Sequence, residues 1–159
     1  MGTGRLDGTM KRYLSIWMPD FPIDRLYRKT RRTHHSYAPF DLDPQTPFSL
    51  TTSAQGGIRV VAMNRVAKRA GVKENQLLTD AKALCPFIKT LDHNPNDDAQ
   101  ELEKLTLWAI RYSPWVTSDS PDGIMMDASG CAHLLGGEEA FVNDIQARLS
   151  YLGFTVRIS

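Results

Sequence analysis

The segment Ser120-Pro121-Asp122-Gly123-Ile124-Met125-Met126-Asp127 constrains the fold more than any other part of this chain. Turn-forming residues punctuate its front and a short apolar run follows, so it reads as a strand reached through a turn. A second run, Tyr13-Leu14-Ser15-Ile16-Trp17-Met18-Pro19, also reads as a buried strand: short, apolar and aromatic, and stopped by Pro19. Two such strands, far apart in sequence, call for a sheet that brings them together.

The intervening pattern supplies the rest. Pro22 and Asp24 suit the first turn of a helix running through Arg25-Leu26-Tyr27-Arg28. His34, His35, Pro39, Pro44 and Pro47 mark a loop. Residues 48–52 and 58–62 read as a hairpin around a Gly-Gly turn. Asn64 can cap a short helix at 65–70 that Gly71 ends. Thr79 is placed to cap another at 80–84, closed by Pro86. Residues 87–91 return as a strand. The longest helix opens at Asn96 or Asp97, with Leu102, Leu105, Ala109 and Tyr112 recurring on one face. Acids in its first turn and Arg111 in its last suit the helix dipole, and Pro114 stops it. Val116 begins an extended stretch leading to the Asp122 strand. Ser129-Gly130 and Gly136-Gly137 bracket a loop. A second long helix, 138–152, presents Phe141, Ile145, Leu149 and Leu152, and Gly153 separates it from a last strand at 154–158. The order predicts an α+β fold with helices on one face of a sheet.

Composition bounds the class. A chain of 159 residues, 42% of them hydrophobic, fits one domain or one domain with a lobe. No apolar run approaches the ~18 residues that span a bilayer. The N-terminus has no apolar signal region; residues 1–10 read as a disordered, Gly-rich start, with Met10 an alternative initiator. Cys85 and Cys131 are isolated thiols, which fits a reducing cytoplasm. The net charge is only +1 but is unevenly spread. Residues 59–73 carry five Lys/Arg and no acid, whereas residues 92–144 carry two Lys/Arg and eleven Asp/Glu. The basic half suits phosphate and the acidic half repels it, or both are solvated faces.

Asp122, at the head of its strand, is placed as in a metal-dependent nucleotidyl-transfer site. Such a site needs two or three carboxylates, because paired Mg²⁺ ions about 3.5–4 Å apart must be held on oxygen ligands. Gly123 follows with no side chain, and the Tyr13 strand offers no carboxylate until Asp20. A lone Asp122 therefore reads as a turn-capping residue rather than a ligand. Arg65 and Lys68, with Arg69 and Lys73 beyond them, form either a solvated helix face or a residual phosphate or DNA contact, where the helix N-terminus at Asn64 favours an anion. His34–His35 and Cys131-X-His133 lack four-ligand spacing, so no metal site is assigned. Tyr13, Trp108, Tyr112 and Trp115 read as core or lobe packing rather than base-stacking platforms.

Four segments together carry a family resemblance. They are Arg12-Tyr13-Leu14-Ser15-Ile16-Trp17, residues 61–73, Leu78-Thr79-Asp80-Ala81-Lys82-Ala83-Leu84-Cys85-Pro86, and Tyr112-Ser113-Pro114 through Gly137. Over about residues 11–159 the chain resembles the N-terminal part of Y-family translesion DNA polymerases, and more closely their inactive, ImuB-like branch. The resemblance implies a polymerase palm, a ferredoxin-like βαββαβ-type sheet with helices on one face, and a small inserted fingers lobe. Residues 11–26 and about 88–159 are the implied palm, truncated at its C-terminal end, and 27–87 the fingers. The metal-binding Asp-X-Asp of active relatives falls on Trp17, Met18 and Pro19, and their Ser-X-Asp-Glu on Ser120, Pro121, Asp122 and Gly123. Their sugar-screening aromatic falls on Pro22, and their triphosphate-holding Tyr and Arg on Arg65 and Lys68.

By the same resemblance the protein is a non-catalytic adaptor in SOS-type, damage-induced mutagenesis, translesion synthesis and DNA repair in the bacterial cytoplasm. It binds no cofactor, touches DNA weakly, and joins a sliding clamp, an error-prone replicative-type polymerase and a RecA-like accessory subunit through regions beyond this chain. Two other readings stay open. One is a divergent active translesion polymerase that uses Mg²⁺ with Asp20 or Asp24. The other is a DNA-binding module without chemistry, whose affinity falls steeply with salt.

Overall fold

The computed structural model describes residues 10–33 and 42–159. The expected loop at His34, His35 and Pro39, and nearly all of the expected disordered N-terminus, lie outside them. The strand Tyr13–Trp17 (β1) is the centre of a four-stranded antiparallel sheet. Its neighbours are Gly123–Asp127 (β6) on one side and Arg157–Ile158 (β7) on the other, with Val116–Asp119 (β5) beyond β6. Two long helices, Pro95–Ala109 (α4) and Glu138–Tyr151 (α5), complete the order β-α-β-β-α-β expected of a palm. Their inward residues Leu102, Leu105, Ala109, Phe141, Ile145 and Leu149 bury against Leu14, Ile16, Ile124 and Met126 of the sheet. Strand periodicity sends every second residue to one face. Leu14 and Ile16 therefore join this core while Tyr13 and Trp17 face outward.

A second sheet is inserted after β1. The hairpin of Phe48–Ala54 (β2) and Gly57–Met63 (β3) pairs antiparallel, and Lys89–Asp92 (β4) adds to β2 in parallel. The sequence reading groups the strand near residue 88 with the palm; its hydrogen bonds go to the hairpin sheet instead. Two short helices, Arg65–Arg69 (α2) and Leu78–Leu84 (α3), form the crossover between β3 and β4 and close a small core of Val60, Met63, Ala67, Val72, Ala81, Cys85 and Ile88.

The joint between the two sheets is the helix Phe21–Thr33 (α1). Phe21 enters the palm core, while Ile23, Leu26 and Tyr27 pack on Phe48 and Leu50 of the hairpin sheet. A third face of the same helix carries arginines toward α4. Arg25, only 8% exposed, donates from Nε to Asp98 Oδ1 at 2.6 Å, and Arg28 pairs with Glu101. His93, just past β4, meets the other Asp98 oxygen at 2.6 Å. One buried carboxylate thus ties α1, α4 and the end of β4.

Local details depart from the sequence reading in several places, among them the last strand, which covers Arg157–Ile158 rather than 154–158. Leu77, not Thr79, precedes α3, and no side chain caps it. Asn94, not Asn96 or Asp97, caps α4, accepting from both of those backbone N–H groups, with Pro95 at the first helical position. That helix ends at Ala109, so Arg111 lies past its last turn. Tyr13 and Trp115, expected as packing residues, are 59% and 74% exposed. They line a shallow groove of about 640 Å³ with Lys11, Thr117 and Met125. Tyr112 does pack in the core, edge-on to Trp108 and Phe141. No helix among the described residues is long and apolar enough to cross a membrane.

Two predictions follow from the buried polar contacts. Asp98→Ala leaves the buried Arg25 guanidinium with only Asp97, at 4.0 Å, and is expected to cost about 3 kcal/mol in urea unfolding. Replacing both partners by Arg25→Met with Asp98→Leu should cost clearly less than that single change. The Tyr112 hydroxyl donates to Asp144 Oδ2 at 2.6 Å, and this bond is the main reason the Asp144 carboxyl sits below its ordinary range. A depressed folded-state value means that the stabilisation is present above the unfolded pKa of about 3.9 and lost as pH falls through the folded value. Tyr112→Phe should move the Asp144 NMR titration upward and flatten that part of the acid-stability curve.

Candidate functional site

Register defines the candidate site. Trp17 stands directly opposite Gly123 on β6 and opposite Arg157 on β7, so the three form one row across adjacent strands. The neighbouring row, Ile124–Ile16–Ile158, faces the helices. The Gly123–Trp17–Arg157 row therefore lies on the open face of the sheet, opposite the helices, where the family resemblance places metal-binding carboxylates. Asp122 precedes β6, and its carbonyl accepts from Met18 N at 2.9 Å, which continues the ladder by one step.

The side chains of this row engage one another. The Trp17 indole donates from Nε1 to Asp122 Oδ2 at 3.2 Å. The Arg157 guanidinium lies over the Trp17 ring, 5.4 Å from its centroid, which is cation–π distance. The surviving carboxylate thus faces an N–H donor, and the donor's ring carries a cation.

These groups do not fit a pair of Mg²⁺ ions. Indole N–H is donor only, Pro19 offers no side-chain oxygen and Gly123 offers no side chain. The backbone is also packed for glycine at 123. A Cβ there would meet the Asp119 carbonyl oxygen at 3.0 Å and the Asp119 Cβ at 3.2 Å, so a longer side chain requires β5 to shift. Among the described residues no group of three or more His, Cys, Asp and Glu side chains is arranged to hold a metal ion. Cys131 and His133 fall in a short 3₁₀ turn, with the Cys131 thiol 3.7 Å from the Ser129 carbonyl, and His34–His35 lie outside the described residues.

The other acids near β1 are engaged as well. Asp20 Oδ1 lies 3.6 Å from Lys68 Nζ, a contact between the residue before α1 and α2. Asp24 Oδ2 accepts from Thr155 N at 2.7 Å, and burial pushes the Asp24 carboxyl above its ordinary range. Both line a cavity of about 290 Å³ with Tyr27, Asn64, Arg65 and Arg69. Of the expected phosphate contacts, Arg65, Lys68, Arg69 and Lys73 are exposed and Asn64 is buried. Asn64 does cap α2, since its Oδ1 accepts from Ala67 N at 3.0 Å. The same oxygen accepts from Phe48 N, and its Nδ2 donates to Tyr27 Oη and the Thr46 carbonyl. Its side chain is thus spent on joining α1, β2 and α2.

Asp127 holds the far end of β6. It accepts from Ser129 N at 2.9 Å, and its bonds to Ser129 keep the carboxyl below the ordinary range. Sequence reasoning missed Arg157. The available signal was its alternation with Val156 and Ile158 in the last strand, which puts it on the face opposite the core.

Comparison with known proteins agrees with this architecture. The sequence profile of the impB/mucB/samB family matches residues 41–159. Protein ImuB of Caulobacter vibrioides is 41% identical over 87 residues, which is 55% of this chain and 19% of that protein. An insertion ternary complex of Dbh DNA polymerase superposes with a TM-score of 0.71 over 92% of this chain and 41% of that one, at 12% identity. DinB from Sulfolobus solfataricus superposes with a TM-score of 0.66 over the same shares, again at 12% identity. The chain thus spans about a fifth of its ImuB relative and about two-fifths of the polymerases it superposes on. A fold that superposes on these polymerases, matched along most of the chain by one family's profile, leads to one conclusion: the chain belongs to the impB/mucB/samB family.

Proposed function

We propose that this palm-and-fingers unit is a non-catalytic part of a bacterial adaptor acting in damage-induced mutagenesis and translesion DNA synthesis. One observation carries the reading. At the positions where the resemblance places metal-binding carboxylates, the chain has Trp17, Pro19 and Gly123 beside Asp122, and the indole is already bonded to that carboxylate. The 41% identity to an ImuB protein supports the cellular setting. The partners proposed for the whole protein are a sliding clamp, an error-prone polymerase and a RecA-like subunit, engaged through regions outside this chain. The proposed location is the cytoplasm, and no cofactor is required.

A second reading is compatible with the first. The exposed Arg65, Lys68, Arg69 and Lys73 form a stretch without an acid that suits a nucleic-acid backbone. The active-polymerase alternative has less support, because Asp20, Asp24 and Asp122 each already face a protein partner.

Three measurements test these readings. The protein should extend no primer in Mg²⁺ or Mn²⁺; extension that Asp122→Ala abolishes would overturn the adaptor reading. Millimolar Mn²⁺ should broaden no NMR resonance at residues 120–124 in the wild type, whereas Trp17→Asp should introduce broadening there. DNA affinity should fall linearly in log K against log salt, and Arg65→Ala with Arg69→Ala should reduce that slope by roughly 2. A slope that does not move places any DNA contact elsewhere.

A further inference from the structure

The helix side of the palm, opposite the Trp17 row, carries a surface that the core does not use. Leu134 and Leu135 are 75% and 44% exposed, and Tyr151 is 91% exposed. Single exposed apolar residues need no explanation, but a contiguous set around a groove does. Two adjoining hollows of about 220 and 320 Å³ make that groove, and both are lined by Arg111 and Arg148. Leu134 and Leu135 line the first, Trp108 and Tyr151 the second. Along α5 the lining runs from Phe141 to Leu152, roughly 16 Å at 1.5 Å per residue. That is about three turns of a docked helix.

Charge selects the occupant. The Arg111 guanidinium lies over the Trp108 ring at 5.0 Å, and its Nε donates to the Trp108 carbonyl at 3.1 Å. It is therefore held in place, yet among the described residues it has no ion-pair partner. Residues 92–144 carry eleven acids and only Lys104 and Arg111 as basic residues, so an unpaired arginine amid apolar side chains is out of keeping with its surroundings. Arg148 shares Asp144 with Tyr112, and its side chain is 55% exposed. A fixed guanidinium pairs well with a carboxylate. Trp, Tyr and Arg are also the residue types that concentrate binding energy at protein interfaces.

We propose that this groove docks an amphipathic helix of a partner protein whose aliphatic anchors are flanked by Asp or Glu. The proposal names a partner class for the adaptor reading and rests on it. The helix would lie along α5, with its apolar side chains between Trp108, Leu134 and Tyr151 and a carboxylate on Arg111.

The test uses a synthetic helical 16-residue peptide with Leu at every third or fourth position and Glu beside each, labelled for anisotropy. Its counterpart carries Lys for Glu. The Glu peptide should bind at least tenfold more tightly, with backbone NMR shifts centred on residues 108–111, 132–135 and 144–152. Arg111→Glu should weaken it at least tenfold, and so should Leu134→Ser with Tyr151→Ser. These side chains are outside the core, so an unchanged melting curve distinguishes lost docking from misfolding. Equal binding of both peptides, no binding, shifts elsewhere, or concentration-dependent self-association through the same residues would overturn the proposal. Primer extension by the wild type would refute the adaptor reading while leaving the groove result to be read on its own.

Discussion

The buried pair between Arg25 and Asp98 is the contact on which the rest of the arrangement depends. It unites a helix that follows β1 with a helix 73 positions further on, and His93 adds the end of the inserted sheet to the same carboxylate. Desolvating two charges is costly, so such a pair stabilises only when its geometry is good and its other hydrogen-bonding positions are met. Here both oxygens of Asp98 have partners. A pair satisfied in this way holds α1 against α4 at the orientation in which Arg25 meets Asp98. That orientation also turns Ile23 and Leu26 toward the hairpin sheet and Phe21 into the palm. Asn64 plays the matching part on the other side of α1, through the Tyr27 hydroxyl.

With α1 fixed, the two lobes hold a set geometry and the open palm face stays accessible. What occupies that face is chemically opposite to what a metal site needs. Metal ions need converging anions; this row presents an indole N–H to the single carboxylate and a guanidinium over the indole ring. The local field at Asp122 is therefore already offset by the protein itself. Fold and chemistry are separable here: the polymerase-like fold is present, while the open face of its sheet carries an indole, a guanidinium and one carboxylate.

Much of this was legible in the sequence, and the gaps have identifiable causes. The strand at Tyr13–Trp17, the hairpin, the Asn64 cap and the inward faces of α4 and α5 follow from periodicity and turn chemistry, which are local. The affiliation of β4 was not legible, because parallel pairing across a two-helix crossover leaves no local signature. Nor was the burial of Arg25, which reads as a solvated helix residue until Asp98 arrives beside it. Tyr13 and Trp115 were assigned to packing because aromatic residues usually have cover. Alternation tells that a strand has two faces but not which one has a neighbour. Trp17 and Gly123 were identified by family pattern; the indole bond to Asp122 and the Arg157 stack depend on register and could only be seen in three dimensions.

The sheet order has a consequence for how the chain is made. The first strand is the central one, and both of its neighbours come from far downstream: Tyr13 pairs with Asp127, and Ile16 with Ile158. At roughly 5–20 residues per second of synthesis, Leu14 and Ile16 wait on the order of ten to thirty seconds for their last partner. The hairpin of β2 and β3 needs no such wait. The inserted lobe can thus close on the ribosome before the palm sheet, whose apolar central strand lacks its β7 partner until residue 158 is made. Topology of this kind makes folding slow, because the pairing of β1 with β7 joins residues about 140 positions apart.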